Sequence, residues 1–338
     1  MLQNLEIQNY RLFQNLKIED FARINLIVGK NNVGKSSLLE ALHLLISQRS
    51  PMAALDFLES RENFSSRAPS PHRSEYELAS LYFGHGAVST PAICLHGTGE
   101  ASISLEIKRN PGHRKADFIY GNGQTTQISL NLENDGIRIA SGHLKAISHT
   151  LPNSTYVTTK GFDYNFLAEL WDKIELTPQE QTVINVLQIL EPRLERISFP
   201  SSRATNSGIR LKLKGQDQPM PLTSMGDGMH RILMIAFTLV FSKNRYLLID
   251  EIDTGLHYRT ITELWRLIFE TAEKLNVQVF ATTHSLDCIR SFAEAIALHE
   301  NKDVGAIFRL QRRGDDIQAV RYDGERLILA VEQDIEVR

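Results

Sequence analysis

Gly29-Lys-Asn-Asn-Val-Gly34-Lys35-Ser36-Ser37 is the stretch on which the reading of this chain turns. It fits the spacing GxxxxGK[ST], and it stands where such a loop must stand, between a strand and a helix. The apolar run Ile24-Asn-Leu-Ile-Val28 ends just before it. From Ser36 to Ser47, Leu38, Leu39, Leu42, Leu45 and Ile46 recur at helical spacing. The chemistry explains the pattern. Glycines let backbone N–H groups turn towards phosphate oxygens, and the following helix adds the positive end of its dipole. Lys35 can then reach the β and γ phosphates, Ser36 suits a magnesium ion, and Ser37 can bond a neighbouring phosphate oxygen. Gly29, Lys30, Asn31, Asn32, Val33, Gly34, Lys35, Ser36 and Ser37 are therefore the candidate nucleotide-binding residues.

Upstream of the loop, Leu2 to Ile7 and Leu16 to Ile18 alternate as strands do. Downstream, residues 50 to 90 are rich in Ser, Pro and Arg and read as loop. Ala101 to Ala140 reads as antiparallel strands, Ser102–Ile107 and Ile128–Leu132 among them, joined by Gly- and Asn-rich turns. Thr177-Pro-Gln-Glu180 has the form of a capping box that starts a helix, and Pro192 ends it. The last third alternates strand and helix: Tyr246–Ile249, Ile261–Leu275, Val277–Ala281, Leu286–Ile296. That is α/β wiring around a parallel sheet. No internal repeat and no sustained heptads are present, so no coiled-coil arm is expected.

Composition fits this picture. The chain has 338 residues, 37 Lys and Arg against 40 Asp and Glu, and 42% apolar residues, which excludes a disordered or collagen-like chain. A net charge of −3 argues against a general nucleic-acid coat protein but leaves room for a local basic groove. Cys94 and Cys288 stand far apart with no CxxC, so neither a disulfide framework nor a thiolate zinc site is indicated. The start lacks a signal-peptide pattern, and the longest apolar stretch, Ile232 to Phe241, is about half of a membrane span. A cytoplasmic protein without a membrane partner is the expectation.

Three further segments carry chemistry. Tyr246-Leu-Leu-Ile249-Asp250-Glu251 is an apolar strand ending in two carboxylates. Asp250 is the candidate magnesium ligand beside Ser36, and Glu251 can take a proton from an attacking water. Leu222-Thr-Ser224-Met-Gly226-Asp-Gly228 precedes an apolar helix, Met229 to Phe241, and small residues there can bind an anion. Phe280-Ala-Thr-Thr-His284-Ser285 ends the strand after the acid pair, where His284 can hydrogen-bond a γ-phosphate or orient water.

In chain order, phosphate loop, Ser-x-Gly turn, acid pair and strand-end His, the four segments resemble an ABC-type ATPase head of the RecF, SMC and OLD-like branch. Glu6-Ile-Gln-Asn-Tyr-Arg11-Leu-Phe13 resembles that branch's opening strand, and Ile249-Asp-Glu-Ile-Asp-Thr-Gly255-Leu-His257 resembles the form found in OLD-like ATPases of bacterial genome defence. The resemblance covers residues 1–49 and 218–296 well, and Leu167–Ile197 more loosely. It implies an α/β P-loop NTPase of ABC-ATPase type with a mixed β-rich and helical insertion. It implies ATP and Mg2+ as ligands, Glu251 as the catalytic carboxylate and His284 as a switch residue. Ser224 and Gly226 would reach the γ-phosphate of nucleotide held by a second copy, in a head-to-tail homodimer or higher oligomer. Arg11 reads as a lone surface arginine.

The sequence also departs from the pattern. Ser-Met-Gly-Asp-Gly replaces the transporter signature, His257 stands where many such ATPases have Asp, and no Gln-containing loop is assigned. Ser36 and Ser224, 188 residues apart, belong to one head, so residues 1–49 and 218–338 are expected to form it around an insertion at 50–217. Only 54 residues follow His284, too few for the TOPRIM nuclease of full OLD proteins, so a separate effector, a nuclease by expectation, is implied. The leading reading is a Mg-ATP hydrolase that drives a DNA-linked or antiviral process through that partner. A RecF-like ATPase gripping duplex DNA is the first alternative. Its basic stretch is Arg193, Arg196, Arg203, Arg210, Lys212 and Lys214, although a solvated strand face explains those charges more simply. A transporter's nucleotide-binding subunit is the second alternative, and a nucleotide-gated scaffold without turnover the third.

Overall fold

Five consecutive buried residues, Ile24–Val28, form β3, and this pattern marks a strand covered on both faces. It lies beside β14 (Gln278–Thr282), buried at all five positions, and β14 lies beside β13 (Tyr246–Ile249). Both pairings are parallel, with Ile27 opposite Thr282 and Ala281 opposite Ile249, so all three strands finish at the same edge. In this computed structural model the described residues are 1–47, 80–85, 91–110, 115–133, 136–139, 153–159, 164–199, 208–314 and 316–332. The chain forms two compact units interleaved in sequence. One takes Met1–Ala22, Gly29–Ser154 and Phe308–Arg321; the other takes Arg23–Val28, Thr155–Ile307 and Tyr322–Arg338.

The first unit holds a seven-stranded antiparallel sheet. Its strands are β1 (Leu2–Tyr10), β2 (Phe13–Ile18), β4 (Ile93–Gly99), β5 (Ile103–Asn110), β6 (Lys115–Gly121), β7 (Thr125–Glu133) and β8 (Gly136–Ile139), in the spatial order β2-β1-β4-β5-β6-β7-β8. Alternation turns one face inward, as with Ala116, Phe118 and Tyr120 of β6. Helix α1 (Lys35–Ile46) packs against β4 and β5 with every residue from Ser37 to Ile46 buried.

Arg11 corrects the expectation of a lone surface arginine. Its side chain is 11% exposed, and its Nε lies 2.8 Å from Glu40 Oε2 on α1. The Tyr10 hydroxyl donates to the same carboxylate oxygen at 3.5 Å. A buried carboxylate needs such partners, since desolvating it alone is costly.

The far end of α1 carries a buried histidine. His43 Nδ1 lies 2.8 Å from Ser154 Oγ and 3.4 Å from Ser47 Oγ, and the two hydroxyls are 3.0 Å apart. Burial pushes the His43 pKa down from 6.5 to about 4. Between those values the unfolded chain binds the proton and the folded one resists it. The contribution is therefore fully present above pH 6.5 and is lost as the pH falls towards about 4, amounting to about 3 kcal/mol. Urea midpoints measured from about pH 7 to about pH 4.5 should fall less steeply in His43→Gln than in wild type. Parallel curves would remove His43 from the acid response.

In the second unit, β9 (Ser154–Val157) flanks β13, and the Asp250 N–H donates to Val157 O at 2.9 Å. The helices are α2 (Tyr164–Ile174), α3 (Pro178–Leu187), α4 (Asp227–Phe241), α5 (Tyr258–Lys274), α6 (Leu286–Leu298) and α7 (Gly324–Glu332). Helix α4 is buried almost all round, so it is a core helix rather than an amphipathic cover. Against it pack α2 and α3, with Trp171 in edge contact with Phe237 at 5.7 Å. The α5–α6 pair closes over an aromatic contact, Trp265 to Phe292 at 4.8 Å.

The capping box forms differently from its sequence pattern. Glu180 Oε2 accepts from the Leu176 N–H, and the Thr177 hydroxyl donates back to Ile174 O at 2.6 Å. The chain enters α3 so tightly that the preceding helix's last carbonyl captures the hydroxyl. A small antiparallel sheet follows, made of β10 (Leu194–Ser198), β11 (Arg210–Leu213) and β12 (Met220–Pro221). Within the basic stretch, Arg193 pairs with Glu191 at 2.9 Å and Lys212 Nζ donates to the carbonyls of Gln216 and Asp217. Arg203, most of the loop read at 50–90 and the last six residues lie outside the described residues. Both cysteines are free thiols. No described helix is long and apolar enough to cross a membrane.

Candidate functional site

In the first unit, the phosphate loop runs from Gly29 into α1. Lys30, Asn31 and Asn32 are exposed at its crest, whereas Gly29, Val33, Gly34 and Ser37 are buried. Asn32 takes a positive φ of 62°, a conformation asparagine tolerates better than most residues. Gly34, the N-cap of α1, has φ +92°, and a Cβ there would come within 2.7 Å of the Phe13 ring. Only glycine fits both demands. The loop is folded so that Lys35 Nζ donates to Gly29 O at 2.7 Å and to Lys30 O at 3.0 Å. The ammonium is thus held over the loop's own carbonyls, beside the first turn of α1. Ser36, within that turn, is half-buried beside Ser37.

In the second unit, the acid pair and His284 sit at the shared end of the parallel strands. Glu251 follows β13 with φ +46°, a left-handed conformation that costs an L-residue roughly 1–2 kcal/mol. Surrounding bonds enforce it. The buried Thr282 hydroxyl donates to Asp250 Oδ1 at 2.6 Å and accepts from the Glu251 N–H at 2.8 Å. Thr283, also buried, donates to Asp253 Oδ1 at 2.7 Å. His284 is exposed, with Nδ1 3.9 Å from Glu251 Oε1, and the Thr254 hydroxyl lies 3.4 Å from Glu251 Oε2. The structure therefore brings Asp250, Glu251 and His284 together at the neighbouring ends of β13 and β14.

Ser224 lies in a short 3-10 turn, Leu222–Met225, and Gly226 is the N-cap of α4; both are exposed. The reason for the second glycine of this segment is visible only in three dimensions. A Cβ on Gly228 would stand 3.0 Å from Gly255 O, so the first turn of α4 packs directly onto the turn that follows the acid pair. His257 caps α5, its Nδ1 accepting from the Arg259 N–H at 3.4 Å. It fills the N-cap place that an aspartate would also fill.

Two residues of this site escaped the sequence. Thr282 reads as one more β-branched strand residue, and no local pattern announces its double bond. Arg231 is 4% exposed inside the apolar helix α4. Its Nη1 donates to Thr158 O at 2.8 Å, and its Nη2 donates to Asp250 O at 2.5 Å and Glu251 O at 3.0 Å. A charged residue within an apolar helix was the available signal.

The residue types suit a magnesium nucleotide. Among the described residues no group of three or more His, Cys, Asp or Glu could hold an ion. A magnesium–phosphate site asks for less, one or two hard oxygen ligands with phosphate and water supplying the rest. Asp250, its Oδ1 held by the Thr282 hydroxyl, has the hard oxygen atoms that such a site takes.

The profile of the AAA ATPase domain family matches residues 1–83 and 144–289, more than half of the chain. This chain belongs to the AAA ATPase domain family. It is similar to the ATP/GTP phosphatase of Helicobacter pylori (strain ATCC 700392 / 26695), with 26% identity covering 97% of each chain. A shorter match, 34% identical over 55 residues, relates it to the DNA replication and repair protein RecF of Lactococcus lactis subsp. cremoris, covering 16% of this chain and 15% of that one.

Solved structures show a similar fold. An SMC head bound to the C-winged helix domain of ScpA superposes with a TM-score of 0.55 at 15% identity, covering 96% of this chain and 99% of that one. An SMC head with an extended coiled coil, bound to the C-terminal domain of ScpA from Pyrococcus furiosus, gives 0.53 at 14% identity, covering 99% and 100%. The α/β P-loop ATPase fold expected from the motif order is the fold this chain has in common with the SMC heads.

Proposed function

We propose that this protein binds ATP through Gly29–Ser37 and hydrolyses it with Glu251 as the base. The observation that carries the reading is the strained Glu251, held at φ +46° by a buried threonine and set 3.9 Å from His284. Strain that its surroundings enforce at a strand end beside two other polar groups is what a reactive carboxylate needs, because it fixes the group before substrate arrives. Lys35 supplies the fixed cation, and the first turn of α1 supplies N–H donors. Ser36 and Asp250 are the magnesium ligands of this reading. The ion, when bound, would offset the negative charge of the phosphates. Glu251 takes the proton of the attacking water, and His284 orients that water or donates to the γ-phosphate.

Ser224 and Gly226 are exposed enough to meet nucleotide on a second copy, which supports a head-to-tail homodimer. Residues 1–49 and 218–338 make up the head of this reading, with 50–217 inserted. Its output is a DNA-linked or defence-linked process run through a separate effector. Phosphate release from ATP, and from GTP given the relative's dual substrate, tests the hydrolytic core. Release should require magnesium and fall to background with excess EDTA. No release with either nucleotide in magnesium would end the reading and leave a nucleotide-gated scaffold.

A further inference from the structure

Arg231 is the charged side chain that α4 carries into the interior, and its contacts converge on the acid pair. The Asp250 carbonyl and the Glu251 N–H belong to one peptide unit. Arg231 Nη2 donates to that carbonyl at 2.5 Å, and Thr282 Oγ1 accepts from that N–H at 2.8 Å. The peptide is therefore gripped at both ends of its dipole. A second bond from Nη2, to Glu251 O at 3.0 Å, fixes the next peptide as well. The left-handed φ of Glu251 lies between these two held peptides.

A guanidinium suits the task because its planar fork bonds several carbonyls at once. Burial lowers the Arg231 pKa, while the nearby Asp250, Asp253 and Glu251 carboxylates pull it back up. Its Nε is buried without a hydrogen-bond partner, a cost in unsatisfied polarity that the bonds from Nη1 and Nη2 offset. It stands five residues after Gly226 on the helix whose first turn packs on Gly255.

We propose that Arg231 is a positioning residue that locks the Asp250–Glu251 peptide and so aims the Glu251 carboxylate, tying it to the helix that begins at the Ser224–Gly228 turn. The proposal rests on the hydrolytic reading of Glu251 given above. A movement of α4 when the turn engages nucleotide would be passed to the carboxylate through two hydrogen bonds rather than through side-chain packing.

Arg231→Lys tests it, since an ammonium keeps the charge but loses the fork. The expected result is a fall in kcat on the order of 100-fold with KM and nucleotide Kd within about threefold of wild type. In a Glu251→Gln background, adding Arg231→Lys should lower single-turnover hydrolysis by less than about threefold, because the two act through one group. If the lysine variant does not fold, Arg231→Met, of similar length and uncharged, is measured the same way. Losses that multiply in full in the double variant, or a drop in nucleotide affinity equal to the drop in kcat, mark a merely structural arginine and overturn the proposal. A wild-type kcat in Arg231→Lys beside a stalled Glu251→Gln overturns it alone. Wild-type turnover in Glu251→Gln overturns it together with the hydrolytic reading.

Discussion

Glu251→Gln should bind ATP as wild type does and hydrolyse it some 10²–10³-fold more slowly. The amide has the same shape, so the left-handed backbone at φ +46° and its bond to Thr282 are undisturbed. The contact with the Thr254 hydroxyl can also survive, because an amide oxygen accepts as a carboxylate does. What disappears is the group proposed to take the proton of the attacking water. Nucleotide should then remain intact, and the proposed ATP-bound dimer should accumulate. Size-exclusion chromatography with magnesium ATP should show that dimer, and pre-steady-state phosphate release should show the missing chemical step. Turnover at the wild-type rate would move the base elsewhere. A monomeric variant that still stalls would retain the base but remove ATP-driven dimerisation.

Lys35→Ala should weaken nucleotide binding by at least about 100-fold, close to abolishing it at working concentrations. That factor corresponds to about 3 kcal/mol, a reasonable loss for a charge-assisted contact to phosphate. The ammonium now donates to the carbonyls of Gly29 and Lys30, so it bridges the first two residues of the loop. Bound triphosphate would trade those contacts for phosphate oxygens. Removing the side chain takes away its bonds to the Gly29 and Lys30 carbonyls, and the melting temperature should move by no more than about 3 °C. Isothermal titration with a slowly hydrolysed ATP analogue separates the effects. Wild-type affinity in Lys35→Ala would refute the phosphate loop as the nucleotide site, whatever the ATPase rate did.

Much of the fold could be read locally. Ile24–Val28 and Tyr246–Ile249 have their expected limits, because a short apolar run bounded by polar residues has few ways to be buried. Helices α4 and α5 start earlier than their apolar periodicity, at Asp227 and Tyr258, since their first turns are largely polar and carry little periodic signal. Strand β4 was hidden because Ile93-Cys-Leu-His-Gly-Thr-Gly99 contains glycines and a histidine that only a neighbouring strand makes acceptable. Arg11 looked solitary because Glu40, its partner, comes 29 residues later on a different element.

The same division runs through the site. The sequence by itself determined the kind of protein: a phosphate loop between strand and helix, an acid pair at a strand end, a glycine turn before an apolar helix and a strand-end histidine. Those features are local because backbone amides, a lysine and a helix dipole must share a few residues to act on one phosphate. Tertiary structure decided which atoms hold the acids. The Thr282 bonds to Asp250 and Glu251 span 32 and 31 residues, and the Arg231 bonds to the same pair span 19 and 20. A hydroxyl or guanidinium acquires such a role only when packing brings a distant carbonyl or N–H within 3 Å and excludes the water that would otherwise satisfy both.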